Sequence, residues 1–432
     1  MKLTQEENAI RKGSRGPVWQ KVMNTLILYG EALHAECFVD IEWGGHFSIP
    51  FALPGVGPRL EMLTELAEAG LKTKYPFTLD PKAPIDFENL GLSAEQKRVF
   101  REMLRDQPAY DKRMLELGLR DENAYTCTPY FTEVGNRPPR GAILAWSESS
   151  CVVFVNSVLA ARTNRNSSIL DLLSNIAGKT PLTGLLTDEG RRATWRIDIK
   201  VLKRPPPQLL GAAIGRLVMD GVPYITGLDR FLRPDLDDET VDYLKEMGAA
   251  CAAIGAVGLY HVENITPEAI DQGRRLLVAG AAHDAIDDGK LEALLASYPV
   301  MWKDTQAKPR KCFIGCPHLS LRELRGWADS IFDALQAEGR PRIAVETILC
   351  AAPHTISRFK ADTESYMKLI SAGVKLSPTC PEAYMNNPLC AKEPVITNSN
   401  KFRAFTSARL LLDEELIEAI VTGRINQSRD LK

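Results

Sequence analysis

Apolar residues follow two different spacings along this 432-residue chain, and their order predicts an α/β protein. The segment that begins at Pro17 carries apolar residues at every third or fourth position, which predicts a helix. Short apolar runs such as residues 222–226 are typical of buried strands. Beyond residue 205 the two patterns follow each other in turn, and that order is typical of parallel sheets covered by helices.

Spacing, caps and turn residues give approximate bounds for the elements. Ser93 and Gln96 form a capping box, and Thr266-Pro267 begins another helix. Predicted helices cover residues 17–33, 58–70, 93–117, 167–177, 208–220, 238–253, 320–337 and 354–372. Predicted strands cover residues 38–43, 72–77, 195–202, 222–226, 257–263, 311–315, 342–349 and 374–377.

The run Arg204-Pro205-Pro206-Pro207 marks a junction between units. It separates an N-terminal α/β region (residues 1–203) from a middle α/β domain (204–310), and a C-terminal α/β region (311–432) follows. The last residues, 426–432, are predicted to be a frayed tail.

Residues 146–165 place an apolar run between two polar clusters. Arg162 and Arg165 are three residues apart, a spacing that suits bidentate capture of a carboxylate or a phosphate. The alternative is a strand followed by a solvated loop. The density of polar side chains around one buried segment favours an anion-binding site. Its candidate residues are Ser147, Glu148, Ser149, Asn156, Arg162, Thr163, Asn164 and Arg165.

Charge and hydropathy exclude two classes of partner. The chain has 53 Lys and Arg against 55 Asp and Glu, so it lacks the basic footprint of a nucleic-acid-binding protein. No apolar run reaches the length of a membrane span, and the N-terminus lacks a signal-peptide core. We therefore expect a cytoplasmic protein. Nine cysteines in such a chain argue against a disulfide framework and leave metal binding open.

Cys127, Cys316 and Cys380 share a setting that the other cysteines lack, because each lies in a predicted loop with a proline one or two residues later. Three thiolates from distant loops can hold an iron–sulfur cluster and leave one iron open to substrate. Cys390, also beside a proline, is the rival third ligand. The absence of a Cys-x-x-Cys pair makes spacing alone weak support. The remaining cysteines are interpreted as core residues: Cys37, Cys151, Cys251, Cys312 and Cys350.

Two further segments carry polar chemistry. His46 follows two glycines, where backbone can approach a ligand closely. Near the C-terminus, Ser399 and Lys401 belong to a Thr-Asn-Ser-Asn-Lys run that is either a polar turn or a second anion clamp. His261 is interpreted as a satisfied core histidine, and His318 as a neighbour of the cysteine ligands.

Several long motifs resemble the large (catalytic) subunit of the aconitase X family, and they occur in order between about residues 5 and 425. The resemblance implies an aconitase-like α/β fold with mostly parallel sheets around a central cleft. It also implies an iron–sulfur hydro-lyase. The motifs are TCTPY, AWSESS, NSVLAARTNR, LYHVENITPEA, IGCPHLSLREL, the Thr-Cys-Pro at position 380 and TNSNK.

This resemblance implies that Cys127, Cys316 and Cys380 hold a [2Fe-2S] or [4Fe-4S] cluster with one open iron. A separate small subunit is expected to supply the catalytic base, since its glycine- and serine-rich loop is not found here. Within this chain Glu148 and Ser149 are the expected catalytic residues. His46, Ser147, Asn156, Arg162, Thr163, Asn164, Arg165, Ser399 and Lys401 are expected to bind substrate.

The expected reaction is dehydration of a small β-hydroxy acid, most simply cis-3-hydroxy-L-proline to Δ1-pyrroline-2-carboxylate, because Glu148 offers a partner for the ring nitrogen. Phosphomevalonate is the alternative substrate. Two other classes stay open: a binding protein for anionic metabolites without a cluster, and a zinc enzyme that uses Cys127, Cys316 and His318. The chain departs from the family pattern at Ala160, where glycine is expected, and at Asn400, where glycine would precede lysine.

Overall fold

Parallel sheets covered by helices make up most of the protein, as the order of apolar runs predicts. The computed structural model describes residues 1–48, 56–81 and 86–425. The predicted tail at 426–432 lies outside the described residues. The helices are α1 (Gln5–Arg11), α2 (Pro17–Ala32), α3 (Val56–Glu68), α4 (Ala94–Met103), α5 (Gln107–Leu117), α6 (Ser149–Ser157), α7 (Ser168–Ala177), α8 (Pro207–Val218), α9 (Asp238–Ile254), α10 (Pro267–Gln272), α11 (Asp288–Ala296), α12 (Leu321–Ala337), α13 (Pro353–Lys360), α14 (Thr363–Ser371), α15 (Pro381–Met385), α16 (Asn400–Phe405) and α17 (Asp413–Thr422).

The strands form two larger parallel sheets and two short pairs. One sheet has the order β7-β6-β5-β8 and the other β11-β10-β9-β12-β13 once the strands are numbered along the chain, and every pairing within them is parallel. The strands are β1 (Phe38–Asp40), β2 (His46–Phe47), β3 (Thr78–Leu79), β4 (Lys179–Pro181), β5 (Ala193–Lys200), β6 (Pro223–Thr226), β7 (His261–Val262), β8 (Leu277–Asp287), β9 (Lys311–Ile314), β10 (Glu346–Cys350), β11 (Lys375–Ser377), β12 (Val395–Thr397) and β13 (Arg409–Leu410).

Strand β5 pairs with β6 and β8, so the four-stranded sheet begins before the proposed junction at residue 204. Among the described residues, no helix combines the length and the apolar character that crossing a membrane requires.

Two predicted helices are each divided in two. Residues 93–117 form α4 and α5, since Pro108 lies in the first turn of α5 and cannot donate the backbone hydrogen bond that a continuous helix needs there. Residues 354–372 form α13 and α14, where the Asp362 side chain accepts a hydrogen bond from the backbone of Ser365 and begins the second helix. A helix can therefore end at a local proline or cap even where the apolar spacing of the sequence continues.

The predicted strands differ most from the observed ones where contacts with distant parts of the chain determine the structure. No strand forms at 72–77, and β3 begins at the next residue, Thr78. Strand β8 was not predicted, because its Leu-Val-Ala-Gly-Ala-Ala-His sequence is mostly exposed at the sheet edge and shows no alternation. Half-exposed Cys37 is also a correction, since the sequence places it in the core.

Helix α6 lies in the middle of the largest apolar core, and its residues from Ser150 to Ser157 are all buried. It packs against α9. Its Phe154 ring also stacks on the ring of Tyr130, which lies between α5 and α6, at 3.7 Å between ring centroids. A helix that is apolar on nearly every side belongs in an interior. The stretch 146–165 is therefore built around a buried helix, which carries one polar cluster at each end.

Candidate active site

A buried ion pair joins the first turn of α6 to the C-terminal region. Glu148 caps the helix: its Oε2 accepts a hydrogen bond from the Cys151 backbone N–H at 2.6 Å. Its Oε1 lies 2.5 Å from Lys401 Nζ, which also donates to Ser150 Oγ at 2.9 Å. Both charged side chains are buried, with 3% and 11% of their surface exposed.

Burial by itself would raise the pKa of Glu148, but the Lys401 ammonium and the Cys151 N–H lower this pKa to about 2. Burial likewise opposes the charge on Lys401, and the carboxylates of Glu148 and Glu382 outweigh it and raise the pKa of Lys401 well above its ordinary value. The pair is therefore charged at neutral pH.

Lys401 reaches this position from the short helix α16, which follows β12. Ser399 caps α16 by accepting a hydrogen bond from Phe402 N–H at 3.1 Å, and its hydroxyl donates to the carbonyl of Cys316. Ser399, predicted to bind substrate, thus orders two loops in this structure. Lys401 is the member of the predicted segment that lies beside Glu148.

Three cysteine loops meet beside the ion pair. Burial raises the pKa of the Cys316 thiol, and the nearby Glu382, Cys380 and Cys127 raise it further. Cys127 Sγ accepts a hydrogen bond from the His318 backbone N–H at 3.2 Å, which joins the first cysteine loop to the second. The three thiols therefore lie near one another although they are far apart in sequence, with Cys316 buried and Cys127 and Cys380 half-buried.

Cys380 and Cys390, the two candidates for the third ligand, have different surroundings. Cys380 follows β11 and lies at the start of α15, and burial followed by the Glu382 carboxylate raises its pKa to about 12. Cys390 has other neighbours: burial raises its pKa to about 11, and Tyr384, Glu393 and Lys311 act on it. These surroundings favour Cys380 as the third ligand.

Among residues 1–48, 56–81 and 86–425, no three His, Cys, Asp or Glu side chains are close enough together to hold a single metal ion. Tetrahedral zinc would need its sulfur ligands roughly 4 Å apart, since each Zn–S bond is about 2.3 Å. A cluster with several irons spans wider gaps between thiolates, and soft thiolates are its usual ligands. The donor set of Cys127, Cys316 and Cys380 fits an iron–sulfur cluster better than the zinc alternative.

The sequence analysis does not identify two partly buried acids at this site. Asp80 directly follows β3, and burial and then Glu148 raise its pKa. Glu382 Oε1 lies 3.6 Å from Cys316 Sγ, and burial raises its pKa despite the nearby Lys401. Glu382 follows Cys380 by two residues, which was an available signal. In sequence, nothing distinguishes Asp80 from the other acids of the chain.

His46, predicted to bind substrate, is fully buried and held by protein groups. Its Nδ1 is 2.9 Å from Thr78 Oγ1, and its Nε2 is 3.4 Å from Asp80 Oδ1. The ring lies 5.4 Å from the ring of Trp146. These contacts make His46 a neighbour of the site through Asp80.

The two serines that flank Glu148 remain at the same end of α6. Ser147 Oγ accepts a hydrogen bond from Ser48 N–H at 3.2 Å. Ser149 begins the helix, with its Oγ 3.5 Å from Glu148 Oε1. Ser149 therefore stays next to the proposed catalytic carboxylate.

At the other end of α6 the predicted binding residues bond to the protein itself. Asn156 Nδ2 donates to the carbonyls of Thr163 and Gly258, both at 2.9 Å. Its Oδ1 accepts from Thr163 N–H, and Thr163 Oγ1 accepts from Trp146 N–H, both at 3.0 Å. These bonds hold the returning chain against the helix end.

Neither guanidinium of the predicted clamp contacts Glu148 or Lys401 in the part of the chain that the structure describes. Arg162 pairs with Asp188 at 2.5 Å, and Arg165 donates to the carbonyl of Ala256. Asn164 bridges the 183–185 turn, with its Nδ2 2.9 Å from the Thr183 carbonyl and its Oδ1 2.8 Å from the Leu185 N–H.

A buried pair that was not predicted completes this end of α6. Arg191 binds Glu268 through two hydrogen bonds of 2.7 and 2.9 Å, and it also donates to the carbonyl and side-chain oxygens of Asn156. His261 Nε2 is 2.8 Å from the Arg191 carbonyl, which confirms His261 as a satisfied core residue.

Comparison with known proteins first defines the class. Residues 1–189 match the model of the aconitase X first domain, and residues 193–295 match that of the aconitase X second domain. The crystal structure of Thermococcus kodakaraensis aconitase X (holo-form) superposes with a TM-score of 0.79 at 29% identity, covering 97% of this chain and 100% of that one. The fold is thus the α/β fold of aconitase-type proteins. The chain belongs to the aconitase X family.

Curated relatives are dehydratases. The phosphomevalonate dehydratase large subunit of Thermococcus kodakarensis is 33% identical over 79% of each chain. That of Methanocaldococcus jannaschii is 30% identical over 98% of this chain and all of its own. The cis-3-hydroxy-L-proline dehydratase of Pseudomonas aeruginosa is 29% identical over 61% of this chain and 43% of its own.

These relatives show that the chain is a hydro-lyase, as the sequence predicts. Family membership suggests an iron–sulfur cofactor, and the name "large subunit" implies a small-subunit partner. For the substrate, the sequence-based preference for cis-3-hydroxy-L-proline is less well supported than its alternative, since the phosphomevalonate dehydratases match at higher identity and greater coverage.

Proposed function

We propose that this chain is the large subunit of an iron–sulfur dehydratase that acts on phosphomevalonate. One observation carries the substrate: the phosphomevalonate dehydratase large subunits match over most of both chains, up to 98% and 100% for the Methanocaldococcus jannaschii protein. Matches to the hydroxyproline dehydratases span less than half of those proteins.

The cofactor site is proposed to be the meeting point of the three cysteine loops, with Cys127, Cys316 and Cys380 as ligands of one cluster. When bound, a cluster with an open iron supplies a Lewis acid that helps a hydroxyl group depart. Lys401 lies beside that point and is paired with Glu148. Its ammonium suits a substrate carboxylate on which negative charge grows during proton removal.

In this proposal Glu148 holds Lys401 in place and stays ionised, since its pKa is about 2. Ser149 and Ser150 contribute hydroxyl groups next to the pair. The base that removes the proton α to the carboxylate is assigned to the small subunit, together with cations for the substrate phosphate.

Charge at the site favours cis-3-hydroxy-L-proline as a second candidate. Three carboxyl groups, those of Asp80, Glu148 and Glu382, interact with the single ammonium of Lys401. An amino acid substrate brings an ammonium of its own, whereas phosphomevalonate adds anionic groups. Under the first candidate, the partner therefore has to present Lys or Arg side chains.

A substrate test separates the candidates. The chain is produced with a small aconitase X subunit under anaerobic conditions, and water elimination is followed by NMR. We expect turnover of phosphomevalonate and little turnover of cis-3-hydroxy-L-proline. The reverse result establishes the second candidate, and no turnover of either compound by cluster-loaded protein overturns the proposed function.

Ligand assignment is tested by iron and sulfide content. We expect Cys127→Ser, Cys316→Ser and Cys380→Ser each to remove the bound iron and labile sulfide, while Cys390→Ser and the core variant Cys251→Ser retain them. Cluster loss in Cys390→Ser together with retention in Cys380→Ser would reverse the choice of third ligand. Zinc without sulfide in the unaltered protein would support the zinc enzyme instead.

A further inference from the structure

Asp80 is a partly buried acid at the candidate site: 22% of its side chain is exposed, and its buried carboxylate oxygen lacks a strong partner. Its Oδ1 makes no hydrogen bond among the described residues that meets normal geometry, and the nearest polar atom given for it is His46 Nε2 at 3.4 Å. Buried carboxyl groups are normally hydrogen-bonded, so an unsatisfied one needs an explanation. Function at the site is one such explanation.

The histidine beside Asp80 is held through one ring nitrogen: its Nδ1 is 2.9 Å from Thr78 Oγ1, whereas its Nε2 makes no hydrogen bond of normal geometry among the described residues and lies 3.4 Å from Asp80 Oδ1. Asn136 Nδ2 donates to Thr78 Oγ1 at 2.9 Å, which directs the Thr78 hydroxyl proton towards His46 Nδ1. The Nε2–H of His46 then faces Asp80. His46 is fully buried, so this row of side chains orients the Asp80 carboxyl group, which is the end that remains available.

Asp80 faces the same space as the ion pair and the thiols. Its charge interacts with Glu148, Lys401 and His46. Asp80 also interacts electrostatically with Glu382 and with the thiols of Cys127, Cys151 and Cys380. These interactions indicate that Asp80 lies close to the ion pair, to Glu382 and to the cysteine thiols.

Two carboxyl groups in this site have opposite environments. Glu148 has an ammonium and a backbone N–H, which keep it ionised. Asp80 has burial and the Glu148 charge acting against its ionisation. When the environments of two neighbouring acids push their pKa values apart, one commonly serves as acid while the other stays charged.

We propose that Asp80 is the general acid of the dehydration, positioned by His46. This assignment rests on the proposed dehydratase function, and it holds for either substrate. The bond between the β-carbon and its hydroxyl oxygen breaks with both electrons on oxygen, and the carboxyl proton of Asp80 passes to that oxygen to release water. A base of the small subunit takes the α-proton, and the electrons of that C–H bond form the carbon–carbon double bond. Solvent then returns a proton to Asp80.

The test compares two leaving groups in the cluster-loaded complex with its small subunit. Asp80→Asn keeps the shape of the side chain but has no proton to transfer. We expect it to slow loss of the hydroxyl group by about 10²- to 10⁴-fold. A substrate analogue with fluorine in place of the hydroxyl should be affected less than about tenfold, because fluoride departs without a proton. Equal losses with both leaving groups, or full activity with the hydroxyl substrate, would overturn the assignment.

Three controls keep the test interpretable. Iron and sulfide content and the substrate Kd should match those of the unaltered complex, which separates an acid from a residue needed for folding or cluster binding. Asp40→Asn, an exposed aspartate on β1, should leave kcat unchanged. His46→Gln should retain part of the activity and shift the alkaline limb of the pH profile; an unchanged profile would contradict its positioning role. If the unaltered complex dehydrates neither substrate, the proposed function fails before Asp80 is in question.

Discussion

The two ends of helix α6 carry similar residue types and have different bonding. At the C-terminal end, amide, hydroxyl and guanidinium groups bond to protein carbonyls and carboxylates, as Asn156 and Arg191 illustrate. At the N-terminal end, three carboxyl groups surround Lys401, and Asp80 retains an unsatisfied oxygen. The first end is saturated with hydrogen bonds to protein groups, whereas the second end has unmet bonding potential, and we therefore propose the second end as the place where a ligand binds. Polar density in sequence does not reveal this difference.

The largest expected effect tests the structural end. Arg191→Met leaves Glu268 buried without its partner, and we expect the free energy of unfolding to fall by about 3–5 kcal/mol. Urea denaturation measures the change. Arg192→Met, next in sequence and more exposed, should change it by less than about 0.5 kcal/mol. If Arg191→Met instead removes activity without loss of stability, the division between the two ends is wrong.

At the functional end, the stabilising effect of Glu148 should depend on pH. Its pKa falls from an ordinary 4.5 to about 2 in the folded chain, so its contribution is fully present above about pH 4.5 and disappears as the pH falls through 2. We expect Glu148→Gln to cost roughly 3 kcal/mol at pH 7 and little at pH 2. Urea titrations at several pH values check this. Glu122→Gln, at an exposed position, serves as the control, and a pH-independent cost of Glu148→Gln would contradict the ion pair.

Ala160 allows a smaller test just beyond the structural end. Its φ is 51°, in the left-handed region that side chains rarely adopt. Ala160→Gly should therefore raise the free energy of unfolding by about 1 kcal/mol, seen as a higher Tm. Ala161→Gly, whose φ is not positive, should lower the Tm instead. A lower Tm for both variants would mean that Ala160 is not strained.

The smallest effect is expected for Arg162. Its pair with Asp188 is largely exposed on the aspartate side, and such pairs contribute about 0–1 kcal/mol. We expect Arg162→Gln to change stability by no more than this and to leave KM nearly unchanged. An increase in KM of about tenfold or more, equivalent to roughly 1.4 kcal/mol of binding, would restore Arg162 as the carboxylate clamp that the sequence predicts.

Local sequence was a good guide to the fold where pattern and context agree. The alternation of helix and strand beyond residue 205 predicts the parallel sheets, and the capping box at Ser93 marks the start of α4. It was a poor guide to α6, because a short apolar run fits a buried strand and a buried helix equally well. Strand β8 was missed, because its pairing with β5 depends on tertiary contacts.

For the site, proline-flanked loops indicate the three cysteines, because loop geometry leaves a trace in sequence. Asp80 and Arg191 leave no such trace, and Glu382 has only its position two residues after Cys380. Their importance depends on which groups surround them after folding, over separations that no local pattern records. Conversely, Arg162 and Arg165 have a suggestive spacing, and the structure gives both of them protein partners.

The Glu148–Lys401 pair joins positions 253 residues apart. During synthesis, the carboxylate emerges long before its counter-charge, and Cys380, the proposed third cysteine ligand, emerges shortly before Lys401. A nascent chain that stops short of residue 401 would carry an acid at the start of α6 with no ammonium to neutralise it. Assembly of the proposed cluster should therefore follow synthesis of Lys401, so that cofactor loading comes after these distant segments have folded together.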